Sequence, residues 1–133
     1  MILLDINVML DVIQKREPYY FASARVIDCV VRKQVEGALS AHAFTTLDYL
    51  VANSQGLTKS RQVVDWLLNR FSVAPIGREE LMRAQSLAWS DFEDAVTAAA
   101  AEALSCQAII TRNIRDFSQS PVPALTPEEW LAS

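Results

Sequence analysis

Three aspartates occupy positions from which their carboxylates could share one site. Asp5 directly follows the apolar run at residues 1–4, Asp94 lies near the start of an alanine-rich segment, and Asp116 follows the apolar run at residues 108–111. Clustered carboxylates repel one another, by about 4 kcal/mol per pair at 4 Å and an effective dielectric near 20, so the cluster needs a cation or a proton. Mg²⁺ prefers oxygen ligands, and such metals promote phosphodiester hydrolysis by activating water and stabilising the leaving oxygen. The three acids together form a candidate metal site for this chemistry.

The segment around Asp94 supports this interpretation. Asp91, Asp94, Ala98 and Ala101 recur at the spacing that places side chains on one face of a helix. Because alanine is small, this helix could pack closely against its neighbours. Asp91 and Asp94 would then lie at the solvent-accessible end of that contact.

Each acid also has an ordinary structural explanation. Asp5 or Asn7 could cap the first helix, and the acids near Asp94 could simply favour a helix N-terminus through the macrodipole. Asp116 could be a turn residue, and we interpret Asp11 as a solvated helix residue.

The apolar periodicity indicates alternating strands and helices. Strands are predicted at 1–4, 38–42, 71–74, 108–111 and 124–125, and helices at 7–16, 19–35, 44–53, 59–70, 78–88, 90–105 and 127–131. Short strands alternating with helices predict a parallel sheet covered by helices on both faces, with ligands bound beyond the carboxyl ends of the strands.

Two helix ends carry specific sequence signals. Gly37 is predicted to act as the C-cap of the second helix. Ser90 and Glu93 have the spacing of a capping box at the start of the helix that carries Asp94.

Length and composition are those of one globular domain spanning residues 1–133, with 51% hydrophobic residues. Cys29 and Cys106 form no CxxC pair, which favours two thiols in a reducing cytoplasm. The N-terminus lacks the pattern of a signal peptide, and no apolar run is long enough for a membrane span. The net charge of −4 argues against a generic basic nucleic-acid coat but not against a nuclease.

Other polar side chains allow two interpretations. His42, the only histidine, could contact a phosphate, although a structural role between strand and helix is the simpler interpretation. Arg112 and Arg115 could steer nucleic-acid phosphates or be solvated surface charges.

Three segments of the chain resemble the PIN-domain family of metal-dependent ribonucleases: residues 3–11 (LLDINVMLD), 91–113 and 111–117 (TRNIRDF). The resemblance implies a three-layer α/β/α sandwich with a central parallel sheet of four to five strands. It also implies cleavage of RNA with Mg²⁺ or Mn²⁺. Toxin-type members are often homodimers held inactive by a small antitoxin.

The resemblance also assigns roles to individual residues of this sequence. The metal-binding and catalytic acids would be Asp5, Asp94 and Asp116, with Asn7, Thr111 and Asn113 as supporting polar groups. Asp91, on the same helix face as Asp94, and Thr46, which could hold a water, are further candidate supporting residues.

One position departs from the family pattern. The family usually has a further acid early in the helix after the second strand, and the equivalent residue here is Thr46. Asp48 lies two residues later, about 200° around a helix, and would point elsewhere. A second metal would then bind weakly, and a catalytically weak or inactive RNA-binding or interaction module is the alternative function.

A phosphatase that forms a phospho-aspartate is a further alternative, because Asp5 follows an apolar strand. Such enzymes need a second acid two residues later, where this chain has Asn7.

Overall fold

Five short strands form one parallel sheet in the computed structural model, which describes residues 1–133. The strand order is β3-β2-β1-β4-β5, and every neighbouring pair is parallel. The strands are β1 (Ile2–Leu4), β2 (Gly37–Ser40), β3 (Ser72–Ala74), β4 (Ala108–Ile110) and β5 (Ala124–Leu125).

Seven α-helices cover the two faces of this sheet. They are α1 (Ile6–Ile13), α2 (Tyr20–Val31), α3 (Ala41–Gln55), α4 (Leu57–Arg70), α5 (Arg78–Leu87), α6 (Phe92–Ala103) and α7 (Pro127–Ala132), and a 3₁₀ turn spans Ile114–Phe117. None of the helices combines the length and the apolar character needed to cross a bilayer.

The central strand β1 shows why the fold has three layers. Ile2 and Leu4 belong to a core shared with α1, α2, α3 and α4, whereas Leu3 belongs to a second core shared with α6. Successive strand residues point to opposite faces, so a continuous apolar run is buried on both sides. The expected α/β/α sandwich with a parallel sheet of four to five strands is confirmed.

The alanine-rich helix α6 lies close against the second face of the sheet. Its buried residues are Ala95, Val96, Thr97, Ala98, Ala99, Ala100 and Ala101. The C-terminal end of α6 leads into the start of β4. The N-terminal end of α6 therefore lies at the opposite edge of the sheet, where the carboxyl ends of the parallel strands are. This path carries Asp94 to the edge at which β1 ends in Asp5.

Two predicted helix ends are wrong. The cap of α6 is Asp91, whose Oδ1 accepts a hydrogen bond of 3.1 Å from the backbone of Asp94, so Ser90 and Glu93 form no capping box. Helix α2 ends at Val31, and Gly37 opens β2 instead of capping the helix. A Cβ at Gly37 would lie 2.7 Å from a methyl carbon of Val30, so this glycine serves a close approach of helix and strand.

Candidate active site

The ends of β1 and β4 bring Asp5 and Thr111 together. The Asp5 amide donates to the carbonyl of Ile110 at 2.9 Å, and the Thr111 hydroxyl donates to Oδ2 of Asp5 at 2.8 Å. Oδ1 of Asp5 accepts a 2.7 Å hydrogen bond from the Ile6 amide. Asp5 is therefore both the N-cap of α1 and a buried member of the candidate site.

The Thr111 hydroxyl is the centre of a small polar network. Besides donating to Asp5, it accepts from the Asn7 side chain at 3.3 Å and from the Asn113 backbone at 3.0 Å. The Asn7 amide also donates to Oδ2 of Asp5 at 3.3 Å, so Asn7 supports the carboxylate and does not cap the helix. These contacts fix the position of Asp5 before any ligand binds.

A first pocket, here called the inner pocket, lies between the end of β1, the start of α3 and the start of α6. Thr46, which the resemblance aligns with a usual acid of the PIN-domain family, lies in this pocket. Asp48 does not line it, because its carboxylate pairs with exposed Arg61 of α4 at 3.1 Å. The polar lining consists of Asp5, Ser40, His42, Thr46, Glu93, Asp94 and Thr97.

A second pocket, here called the outer pocket, lies on the other side of Asp94. It is lined by Asp91, Asp94, Arg115 and Asp116, together with smaller polar groups. Asp5 lines only the inner pocket and Asp116 only the outer one, whereas Asp94 lines both. Asp5 and Asp116 thus lie on opposite sides of Asp94, and the three acids do not line one common pocket.

The electrostatics of the site centre on Asp94. Burial raises the pKa of Asp94, and the charges of Asp91, Asp5, Asp116 and Glu93 raise it further, to about 7. A carboxylate with neighbours of the same sign binds a proton more tightly, because ionisation adds to the repulsion. Burial and four neighbouring acids therefore favour the protonated form of Asp94.

The pKa values of Asp5 and His42, which also line the inner pocket, are shifted mainly by burial. Burial raises the pKa of Asp5, while the hydrogen bonds from Thr111 and Ile6 lower it in part. Burial lowers the pKa of His42, against the opposing charges of Glu93 and Asp5, and its Nδ1 is shielded without a hydrogen-bond partner.

Sequence reasoning did not assign Glu93, His42 and Thr97 to the site. Thr97 lies three residues after Asp94 on the same helix face, and its spacing could have identified it. His42 follows the end of β2 by two residues, which places it at the same sheet edge as Asp5. The spacing of Ser90 and Glu93 predicts a capping box instead, so it gives no sign that Glu93 lines the pocket.

The interpretation of Asp11 as a solvated residue is wrong. Asp11 is fully buried, and its Oδ2 accepts from the Ser23 hydroxyl at 3.1 Å and from Nε of Arg112 at 2.8 Å. This ion pair joins α1, α2 and the segment after β4. Arg112 is consequently a fixed group beside the site and not a freely solvated charge.

The donor set suits a hard divalent cation. Asp5, Asp94 and Asp116 offer carboxylate oxygens, and the pKa of Asp94 is raised by burial and by four neighbouring acids whose charge a cation would neutralise. No group of three or more His, Cys, Asp or Glu side chains is close enough to hold a metal ion. The donor types and the charge therefore fit Mg²⁺ or Mn²⁺, while the side chains do not form a closed ligand group.

Comparison with known proteins places this geometry in context. A family described as PIN domain matches residues 1–115. None of the curated proteins compared with the chain matches it significantly.

Solved structures share the fold at low sequence identity. A toxin–antitoxin complex from Klebsiella pneumoniae has a TM-score of 0.74 at 19% identity, covering 96% of this chain and 98% of that one. VapBC2 from Rickettsia felis, bound to a promoter DNA fragment, has a TM-score of 0.72 at 20% identity, covering 95% and 98%. FitAcB from Neisseria gonorrhoeae has a TM-score of 0.70 at 22% identity, covering 96% and 99%.

Proposed function

The chain belongs to the PIN-domain family, and from this premise we propose that it is a divalent-metal-dependent endoribonuclease of the toxin type. The observation that carries the proposal is the position of Asp94. It lines both pockets, and the negative charges of four other acids lie close enough to raise its pKa. A structural cap or surface acid would not need neighbours of the same sign on both sides.

In this proposal three acids would bind the cation: one directly after β1, one in the first turn of α6 and one in the 3₁₀ turn. Neighbouring polar groups would hold these acids in place. Asp94 would be the shared ligand, with Asp5 contributing from the inner pocket and Asp116 from the outer one. Thr111 and Asn7 keep the Asp5 carboxylate oriented through hydrogen bonds of 2.8 and 3.3 Å. A bound divalent cation would supply positive charge for the scissile phosphate and promote the ionisation of water at the site.

Thr46 limits this activity in the proposed mechanism. Its hydroxyl donates to the carbonyl of His42 at 3.1 Å, and it adds no negative charge to the inner pocket. A second cation would therefore bind weakly, and we expect modest rates.

The test is cleavage of single-stranded RNA by the full chain with Mn²⁺ or with EDTA, beside Asp94→Asn. We expect metal-dependent cleavage by the wild type and a loss of roughly 100-fold or more in the variant, because the shared ligand is removed. Asp65→Asn, at an exposed position on α4, is the matched control and should retain activity. Equal products from wild type and Asp94→Asn would contradict the proposed site.

A catalytically inactive RNA-binding or interaction module is the second candidate, and Thr46 is the observation that favours it. Metal-dependent stabilisation against melting, without cleavage of RNA, would support this function over the nuclease. The phosphatase alternative has less support, because the amide of Asn7 stands where a second acid is needed and donates to Asp5.

We also propose an antitoxin partner and a homodimer for this chain. The neighbouring structures include toxin–antitoxin complexes. A groove between α1, α2 and α4, lined by apolar residues including Val12, Ile27, Val63 and Trp66, fits an apolar segment of a partner. Val63→Asp should weaken inhibition by a co-expressed antitoxin, with cleavage by the isolated chain unchanged. Light scattering of the isolated chain tests the homodimer.

A further inference from the structure

We propose that Arg112 is a preset binding residue for a backbone phosphate of the RNA, held in position by Asp11 and Tyr19. The inference rests on the proposed function, because it names how the same site would hold its substrate.

One edge of the Arg112 guanidinium is fixed from inside the protein. Nε donates to Oδ2 of Asp11 at 2.8 Å, and the Asp11 side chain is completely buried. The same oxygen accepts from Ser23, also fully buried, at 3.1 Å. A buried carboxylate with a second hydrogen bond gives this edge of the guanidinium one defined direction.

The plane of the guanidinium is fixed by an aromatic ring. Cζ of Arg112 lies 4.1 Å from the centroid of the Tyr19 ring, a cation–π contact. Asp11 and Tyr19 therefore restrain the side chain from two directions. An arginine held in this way loses little conformational freedom when it binds a ligand.

The other two nitrogens of the guanidinium remain available. Nη1 and Nη2 make no hydrogen bond within the protein, and neither is a shielded atom. The side chain is 21% exposed, so these donors reach solvent although Nε is occupied. Two parallel N–H donors on a rigid arginine match the oxygens of a phosphate, which accepts such pairs as bidentate hydrogen bonds.

The position of Arg112 is next to the reacting groups. It directly follows Thr111, whose hydroxyl binds Asp5 at 2.8 Å. Its charge is near enough to Asp5 to oppose the rise in the pKa of that carboxyl, which is caused mainly by burial. In a chain of net charge −4, a fixed cation beside the acids gives the phosphate backbone an attractive contact at the site.

A purely structural ion pair is the rival explanation, and the experiment separates the two. Arg112→Gln alone would leave the buried Asp11 carboxylate unpaired, so Asp11→Asn is compared with the double variant D11N/R112Q. The probe is a fluorescent single-stranded RNA oligonucleotide, and the buffer contains EDTA so that metal-dependent cleavage cannot occur. Anisotropy gives Kd over a range of salt concentrations, and thermal melting checks that each variant is folded.

We expect D11N/R112Q to bind the probe roughly tenfold more weakly than D11N, the loss associated with a charge-assisted hydrogen bond. The slope of log Kd against log salt should fall by about 0.7, the value for one phosphate contact on a single strand. D11N/R112K should restore the slope but not the full affinity. Lysine keeps the positive charge but lacks the two parallel N–H donors of the guanidinium. D11N/R32Q is the charge control, since Arg32 is exposed after α2, and its slope should equal that of D11N.

Equal slopes for D11N and D11N/R112Q would overturn the inference, as would the same fall in D11N/R32Q or a wild type that does not bind the probe. Cleavage of RNA with Mn²⁺ is measured separately. Cleavage with an unchanged slope would overturn the role of Arg112 alone. An Arg112-dependent slope without cleavage would support that role and contradict the nuclease.

Discussion

The hydroxyl of Thr111 donates a 2.8 Å hydrogen bond to Oδ2 of Asp5, joining residues 106 positions apart in the chain. Each residue directly follows a strand, and the two strands are neighbours in the sheet. The bond lowers the pKa of Asp5 against the larger effect of burial. A neutral hydroxyl therefore helps to keep the buried carboxylate ionised and available to a cation.

Thr111→Val should weaken both the fold and the site. The variant leaves Oδ2 of Asp5 without its shortest hydrogen bond, and a buried charged acceptor that loses a partner costs about 1–3 kcal/mol. The pKa of Asp5 should rise further, so cleavage should require higher pH. Urea unfolding measures the stability, and a pH profile of RNA cleavage measures the effect on Asp5.

Thr111→Ser is the control for this prediction, because it keeps the hydroxyl and removes only a methyl group. It should retain the pH profile of the wild type. A valine variant with the wild-type profile would show that the hydroxyl does not influence the ionisation of Asp5.

Ala88→Gly should stabilise the protein. Ala88 ends α5 in the left-handed conformation, at φ 57° and ψ 37°, and its side chain is exposed. A residue with a Cβ is disfavoured there by about 1–2 kcal/mol, and glycine is not. The urea midpoint should therefore increase. Ala52→Gly, within α3, should instead lower the urea midpoint, because glycine inside a helix costs about 1 kcal/mol of stability. The same direction of change in both variants would contradict the assignment.

Gly37→Ala should destabilise the contact of α2 with β2. The added Cβ would lie 2.7 and 2.9 Å from the two methyl carbons of Val30, and overpacking of this kind costs about 1–3 kcal/mol. In the double variant with Val30→Ala the cost should be less than the sum of the two single changes. Additive losses in urea unfolding would exclude steric conflict as the cause.

The strands that carry the site could be anticipated, although their order in the sheet could not, because short apolar runs are strong local signals. Residues 1–4 and 108–111 are too short and too apolar to be surface helices, so their ends were expected at one sheet edge. The contacts of Asp11 could not be anticipated in the same way. Its burial depends on Arg112 and Ser23, which are distant in sequence, and no periodicity reports such a pairing.

The arrangement of the acids was likewise only partly predictable. Helical spacing placed Asp91 and Asp94 on one face but could not show that Asp94 alone borders both pockets. That result depends on where the start of α6 lies against the ends of the strands. Glu93 was misassigned because a capping box and a pocket acid both favour glutamate in the first turn of a helix.

Asp94→Asn should stabilise the metal-free protein at neutral pH and above. The pKa of Asp94 is about 7 in the folded state, against 3.8 for the ordinary value, so the folded state holds the proton more tightly. The cost of ionising Asp94 is fully present above pH 7, decreases as the pH falls through 7 and vanishes below about pH 4. In EDTA the variant should melt a few degrees higher than the wild type at pH 8, with little difference near pH 4.

The control is Asp65→Asn, which lies at an exposed position and should show no such dependence. Mn²⁺ should raise the melting temperature of the wild type more than that of Asp94→Asn, because a ligand stabilises only the state that binds it. A melting difference that is constant from pH 4 to pH 8 would be inconsistent with a protonated Asp94.

Thr46→Glu should strengthen metal binding by supplying the acid that the inner pocket lacks. Thr46 lines this pocket with Asp5 and Asp94, so a carboxylate at this position would face the same space. Without metal the added charge should lower the melting temperature, because the new carboxylate is repelled by those of Asp5, Glu93 and Asp94. With Mn²⁺ the effect should reverse, and Kd from calorimetry should fall about tenfold or more, which corresponds to about 1.4 kcal/mol or more of added binding free energy. Thr45→Glu adds the same charge one residue earlier on the exposed side of α3, so it isolates the effect of position from that of net charge. If the two variants bound Mn²⁺ equally well, the inner pocket would not be the place where the cation is held.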